Sequence, residues 1–229
     1  MFSFLKNRKV TVNCYTDNQI VLENYSIRRA SKLTPKWWQD LPREFFYTQD
    51  SVKRKGSTSK KCPGFLDLYS NSWVVPAWSD LLICTKKDGT YTYSFPSGHL
   101  KGIGVRTHNA TQFLNGFKDY IHLKLICPWV LREKTGAKFI YIPATWSLLD
   151  DTKDLNILPG VLDFKNTIAV HINAMVPKQD AEYFIKAGQP LAHLVPLTEK
   201  NVDFKSHAVT RSEYEHISYN GHPCSYGKF

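Results

Sequence analysis

Apolar side chains recur at every second residue in segment after segment of this chain. The clearest run is DFKNTIAVHINAMV, residues 163–176. Phe164, Ile168, Val170, Ile172, Ala174 and Val176 share one parity, with Asn166 as the exception, and Lys165, Thr167, His171 and Asn173 share the other. Successive side chains of a strand point to opposite faces, so this run predicts one long strand with a single buried face. KVTVNCYT (9–16), YIHLKLI (120–126) and AKFIYIPATW (137–146) carry the same rhythm, the last preceded by a Thr135-Gly136 turn. GFLDLYS (64–70) reads the same way, with Leu66 and Leu68 opposed to Phe65, Asp67 and Tyr69.

Turn residues divide the remaining strand signals. SDLLICTKKDGTYTYSF (79–95) sets two apolar-aromatic runs around Asp88-Gly89, the dipeptide of a tight hairpin. YFIKAGQPLAHLVPL (183–197) is broken by Gly188 and Pro190 into two short strands. Helical periodicity is nearly absent. The exceptions are TPKWWQDLP (34–42) and TRSEYEHI (210–217), where Thr210 and Glu213 have capping-box spacing. In the first, Thr34 is the expected N-cap and Pro35 the first helical residue. The pattern predicts an all-β, mainly antiparallel fold: one β-sandwich or jelly-roll-like domain over residues 1–229, with short peripheral helices.

The composition narrows the setting. No apolar run approaches the roughly 18 residues that span a bilayer, and the opening MFSFLKNRKV has no signal-peptide pattern. The five cysteines are odd in number and scattered, with no CxxC pair. That predicts reduced thiols and no zinc site. The formal charge of +10 favours anionic partners such as nucleic acid, an acidic protein surface or anionic lipid; nucleic acid and an acidic protein surface are retained, and no membrane partner is expected. Its densest source is SVKRKGSTSKK (51–61), read as a flexible basic loop or arm bearing Lys53, Arg54, Lys55, Lys60 and Lys61. With Arg28 and Arg29, these are the candidate contacts to an anion or nucleic acid.

Catalytic signatures are missing. There is no GxSxG, and SGHLKGIG (97–104) has glycines but no following Lys-Ser/Thr, so it reads as a turn. A cupin-like, non-haem iron enzyme would need two His and a carboxylate on one face. His99, His108, His122, His171 and His193 are dispersed, and no His-x-His or His-x-Asp/Glu pair exists. His122 and His171 sit on faces that read as polar and outward, and His193 reads as a hydrogen-bonded core histidine. No catalytic residue, metal ligand or cofactor is assigned.

Trp37 and Trp38 are the candidate interface residues. Neighbouring side chains on a helix point about 100° apart, so two adjacent indoles cannot lie on one narrow face. Either both close the end of a sandwich, or one is buried and the other meets a partner.

The ordered set TPKWWQDLP, CPGFLDLY, VPAWSDLL, CPWVLREKTG, PATW, LPGVLDF and AGQPLAHLVPL, spanning residues 34–197, resembles a family of uncharacterised proteins encoded by tailed bacteriophages, many marine or cyanobacterial, and by some bacteria. The resemblance implies a phage gene product but no site residues. It favours a virion or assembly protein that contacts other phage proteins or its own copies, in the virion or the host cytoplasm. The alternatives are a metal-dependent enzyme made in the infected host and a nucleic-acid-binding protein.

Overall fold

The computed structural model describes residues 9–98, 104–108, 116–147, 152 and 154–219. In chain order the strands and helices begin with β1 (Val10–Thr16), α1 (Gln19–Asn24), β2 (Arg28–Arg29), α2 (Lys36–Asp40), β3 (Glu44–Gln49), β4 (Val52–Ser57) and α3 (Pro63–Asn71). There follow β5 (Trp73–Pro76), β6 (Leu81–Thr85), β7 (Tyr91–Ser94), β8 (Val105–Thr107), β9 (Tyr120–Leu125), β10 (Val130–Arg132) and β11 (Lys138–Pro143). The last are β12 (Asn156–Ile157), β13 (Gly160–Asp163), β14 (Ile172–Pro177), β15 (Ala181–Ile185), β16 (Pro190–Pro196), β17 (Val202–Ala208) and α4 (Arg211–Tyr219). The fold is mostly β and sandwich-like. Its sheets are antiparallel except where β1 runs parallel to β17.

The five-stranded sheet, in the order β13-β11-β16-β5-β2, organises the rest. On its inner face Trp73, Val75, Phe139, Tyr141, Ala192 and Leu194 join one large buried cluster. Residues of β1, β6, β8, β9, β10, β12, β14, β15 and β17 also contribute to that cluster. On the outer face Val74 and His193 lie opposite each other in register. There Val74 meets a smaller cluster with Ala30, Phe65 and Tyr69. None of the described helices is long and apolar enough to cross a membrane.

Several elements form where the residue pattern places them. β1 alternates buried and half-buried positions along its length. β6 and β7 pair as a hairpin, with Gly89 at a φ of +87° that only glycine adopts freely. The Thr135-Gly136 turn is held by the Glu133 carboxylate, which accepts the backbone N–H groups of Thr135, Gly136 and Ala137 at 2.6, 2.8 and 3.1 Å. Burial alone would raise that carboxyl. The hydrogen bonds outweigh it and hold the group below the usual carboxylate range. At α4 the Thr210 hydroxyl accepts from Glu213 N–H, while the Glu213 carboxylate accepts from Thr210 N–H, the capping box read from the sequence.

Three expectations are corrected. GFLDLYS is not a strand; it lies in helix α3. Pro63 occupies the first turn, and Phe65 and Tyr69, four residues apart, share the buried face. Residues 163–176 do not make one strand. The alternation of burial holds, with Ile168, Val170 and Ile172 buried, but the backbone turns first. Asp163 accepts from Lys165 N–H through its carboxylate and from Thr167 N–H through its carbonyl, ending β13, and β14 starts only at Ile172. Residues 51–61 are not a flexible loop: Val52–Ser57 form β4, paired with β3 over its whole length, and Ser59–Lys61 form a 3-10 turn. The turn read at 97–104 lies mostly outside the described residues.

Candidate functional site

Residues 30–72 lay a thin cover over the outer face of the five-stranded sheet. It is built around aromatic rings. His193 meets Tyr69 edge-on at 5.2 Å, Tyr69 stacks on Phe65 at 4.5 Å, and Phe65 stacks on Trp38 at 4.9 Å. Trp37 approaches Phe65 edge-on at 6.0 Å and lies 6.0 Å from Trp146. These separations fall in the favourable range for aromatic pairs. The column runs from a buried histidine outward to exposed indoles.

At the buried end the proton positions follow from the bonding. The Ser72 hydroxyl gives its single hydrogen to the Leu68 carbonyl at 2.6 Å. Nδ1 of His193 therefore donates to Ser72 Oγ, 2.9 Å away, and Nε2 carries a lone pair that is buried without a hydrogen bond among the described residues. Burial pushes the imidazole down to about 4, so it is neutral at ordinary pH. His193 is thus the hydrogen-bonded core histidine expected from its sequence context.

At the outer end α2 is shorter than expected. It starts at Lys36, with Pro35 rather than Thr34 in the capping position, and none of its residues is buried. Trp37 is 42% exposed. Trp38 is half-buried, covered on one face by Phe65. The two indoles are unequal, as their angular separation requires, yet neither is core. Trp37 Nε1 donates to the Trp146 carbonyl at 2.9 Å, a contact between residues 109 apart that no local pattern announces.

The β3–β4 hairpin projects from this layer. Asp50 and Ser51, both at positive φ, close its turn. Phe45, Phe46, Tyr47 and Val52 are 44%, 65%, 41% and 55% exposed. Directly paired residues share a face, so Phe45, Tyr47 and Arg54 lie on one side and Phe46, Lys53 and Lys55 on the other. The Phe45 ring lies over Gly56, where an added Cβ would sit 2.6 Å from it.

The basic candidates divide by what holds them. Arg28 donates to the carbonyls of Asn24 and Ser26 at 2.7 and 3.2 Å. Arg29 lies 4.6 Å over the Trp73 ring and donates to the Val202 carbonyl at 3.1 Å. Lys60 donates to the carbonyls of Gln39 and Leu41 at 2.7 and 2.9 Å, capping the end of α2. Lys55 and Lys61 both pair with Glu44, and their hydrogen bonds hold its carboxyl below the usual range. Lys53 sits 5.0 Å over Phe46. Arg54 makes no hydrogen bond or ion pair among the described residues. Most of this charge is engaged within the chain, while Arg54 and Lys53 stay presented on the hairpin.

A second cluster escaped the sequence reading. His108, His122, His171, Asn173 and Tyr141 line a pocket of about 310 Å³. His108 Nε2 hydrogen-bonds Asn173 Oδ1 at 3.2 Å, and His171 Nδ1 accepts from Cys127 N–H at 3.1 Å. His122 is buried, not on an outward polar face; burial and then His108 lower its pKa. Among the described residues no group of three or more His, Cys, Asp and Glu could hold a metal ion. His99 lies outside them.

Cys14, Cys62, Cys84 and Cys127 are free thiols, and Cys224 lies outside the described residues. Burial pushes Cys127 up to about 12 and Cys14 well above the usual thiol range, so these two are unreactive packing groups.

No protein-family model matches the chain, and neither a curated protein nor a solved structure matches it.

Proposed function

We propose that the chain is a virion or assembly protein of a tailed bacteriophage, and that the aromatic layer of residues 30–72 is its contact face. The observation that carries this is the β3–β4 hairpin. An isolated two-stranded ribbon is marginal in water, and this one exposes Phe45, Phe46 and Tyr47 in succession. Aromatic side chains left in water on a projecting element gain free energy when a partner covers them. Tyr, Trp and Arg predominate among the residues that anchor interfaces, and Tyr47, Arg54 and Trp37 are all presented here. The resemblance of the ordered motifs at 34–197 to phage-encoded proteins supplies the setting.

The test is mass spectrometry of purified particles of the encoding phage. The expected result is this chain present at a fixed ratio to the major structural proteins. Its absence from particles and from assembly intermediates would remove the reading.

A further inference from the structure

A groove of about 530 Å³ opens beside the contact layer. Trp37, Trp146 and Pro190 line it, together with Lys32, Lys36 and Lys186, and among the described residues no acidic side chain does. The geometry points to an acidic peptide segment of a partner protein, anchored by a proline or aromatic side chain, as the occupant of this groove. The inference rests on the assembly reading above and names the class of partner it requires.

Three observations select this occupant. The first is charge. Lys32 and Lys186 are exposed and form no ion pair among the described residues. Among the described residues Lys36 pairs only with Asp40, one turn away, through side chains 85% and 59% exposed. Such a pair is exchanged for another carboxylate at little cost. The groove therefore offers three ammonium groups beside an apolar wall, which complements carboxylates flanking an apolar anchor.

The second observation concerns the rings. Trp37 and Trp146 stand 6.0 Å apart at 48° to each other. They lean on each other and leave no parallel slot between them into which a nucleobase could insert. Trp37 Nε1 is already bonded to the Trp146 carbonyl and cannot read a base edge. The tilted pair instead makes an angled apolar wall of the kind that receives proline or aromatic side chains.

The third disfavours the hairpin of a second copy. The projecting aromatic element of this chain carries Lys53, Arg54 and Lys55, and the whole protein is +10. Docking it into a lysine-rimmed groove would bring like charges together.

Fluorescence anisotropy on the full chain tests this with three labelled probes. One is a 12-residue peptide of Asp and Glu interrupted by Pro, Leu and Phe; the second has Lys in place of each acid; the third is a 12-nucleotide oligo-dT. The acidic peptide is expected to bind at least tenfold more tightly than the other two. Lys186→Glu and Lys32→Glu should each weaken it about tenfold, and added salt should weaken it too. Both positions are on the surface, so the fold survives, and a melting curve checks that. Val161→Ser, at an exposed position on β13 outside the groove lining, should leave peptide binding unchanged. Equal or tighter binding of oligo-dT that is lost in the same lysine variants would overturn the inference, and so would a dimer dissociated by Lys186→Glu. If no probe binds but Phe46→Ser removes the chain from particles, the groove inference fails and the assembly reading stands. If the acidic peptide binds as described but particles lack the chain, the groove inference stands and the assembly reading fails.

Discussion

The two faces of the five-stranded sheet bury their side chains in different ways. The inner face joins a cluster fed by nearly every other strand, where Phe139, Leu194 and Val75 are wholly enclosed. The outer face has a thin cover whose buried apolar cluster is small: Ala30, Phe65, Tyr69 and Val74. Beyond them the cover ends in half-buried or exposed rings: Trp38, Trp37, Trp146 and the hairpin aromatics. Close packing on one side fixes the fold. On the other side, the same kinds of side chain are left incompletely covered, where a partner can finish the burial. Under the proposed assembly role, stability belongs to the inner face and association to the outer one.

The largest effect expected from breaking this contrast is on the inner face. Phe139→Ala empties a site with no solvent exposure and should cost about 3–5 kcal/mol in global stability, read from denaturant unfolding. A cost below about 1 kcal/mol would mean that the inner cluster is loosely packed.

Next comes the boundary between the two regions. His193 titrates near 6.5 in an unfolded chain and at about 4 when folded. The unfolded state therefore binds more protons between those values. The contribution of His193 to stability is complete above pH 6.5 and falls as the pH drops towards 4, by up to about 3 kcal/mol. His193→Gln should flatten this loss relative to the unmodified protein. Melting temperatures measured across that window check it, and identical slopes in the two proteins would contradict it.

The smaller effects belong to the indoles. Trp38→Ala removes a ring stacked on Phe65 and should cost about 1–2 kcal/mol. Trp37→Ala removes a ring in looser contact and should cost about 0.5 kcal/mol or less in the isolated chain. Equal losses, or a loss of about 4 kcal/mol for either, would place the pair in the core and erase the distinction between the faces.

The same contrast decides what could be read from the sequence. Strands of the inner cluster announce themselves where one face is buried and the other is not: β1 and β6 alternate between buried and half-buried positions, and Gly89 and Gly188 mark the turns after β6 and β15. The outer layer sends weaker signals. GFLDLYS fits a strand by parity and a helix by Phe65 and Tyr69, and only Pro63 tips the balance. Residues 51–57 look like a solvated run because β4 borrows its regularity from EFFYTQ across the hairpin. Trp37 and Trp38 could be singled out as adjacent indoles. Trp146 and Lys186 could not be, since they reach α2 only through the fold. The histidines of the second pocket are hidden for the same reason: His108, His122 and His171 lie on three different segments.

The central claim is that the hairpin serves association and not the stability of the fold. It is tested by introducing Phe46→Ser together with Tyr47→Ser and measuring both the melting temperature of the isolated chain and the amount of chain in purified particles. These rings touch neither buried cluster, so the stability should change by no more than about 0.5 kcal/mol, while the chain should be strongly depleted from particles. Incorporation at the unmodified level, or a loss of stability as large as that of Phe139→Ala, would contradict the account.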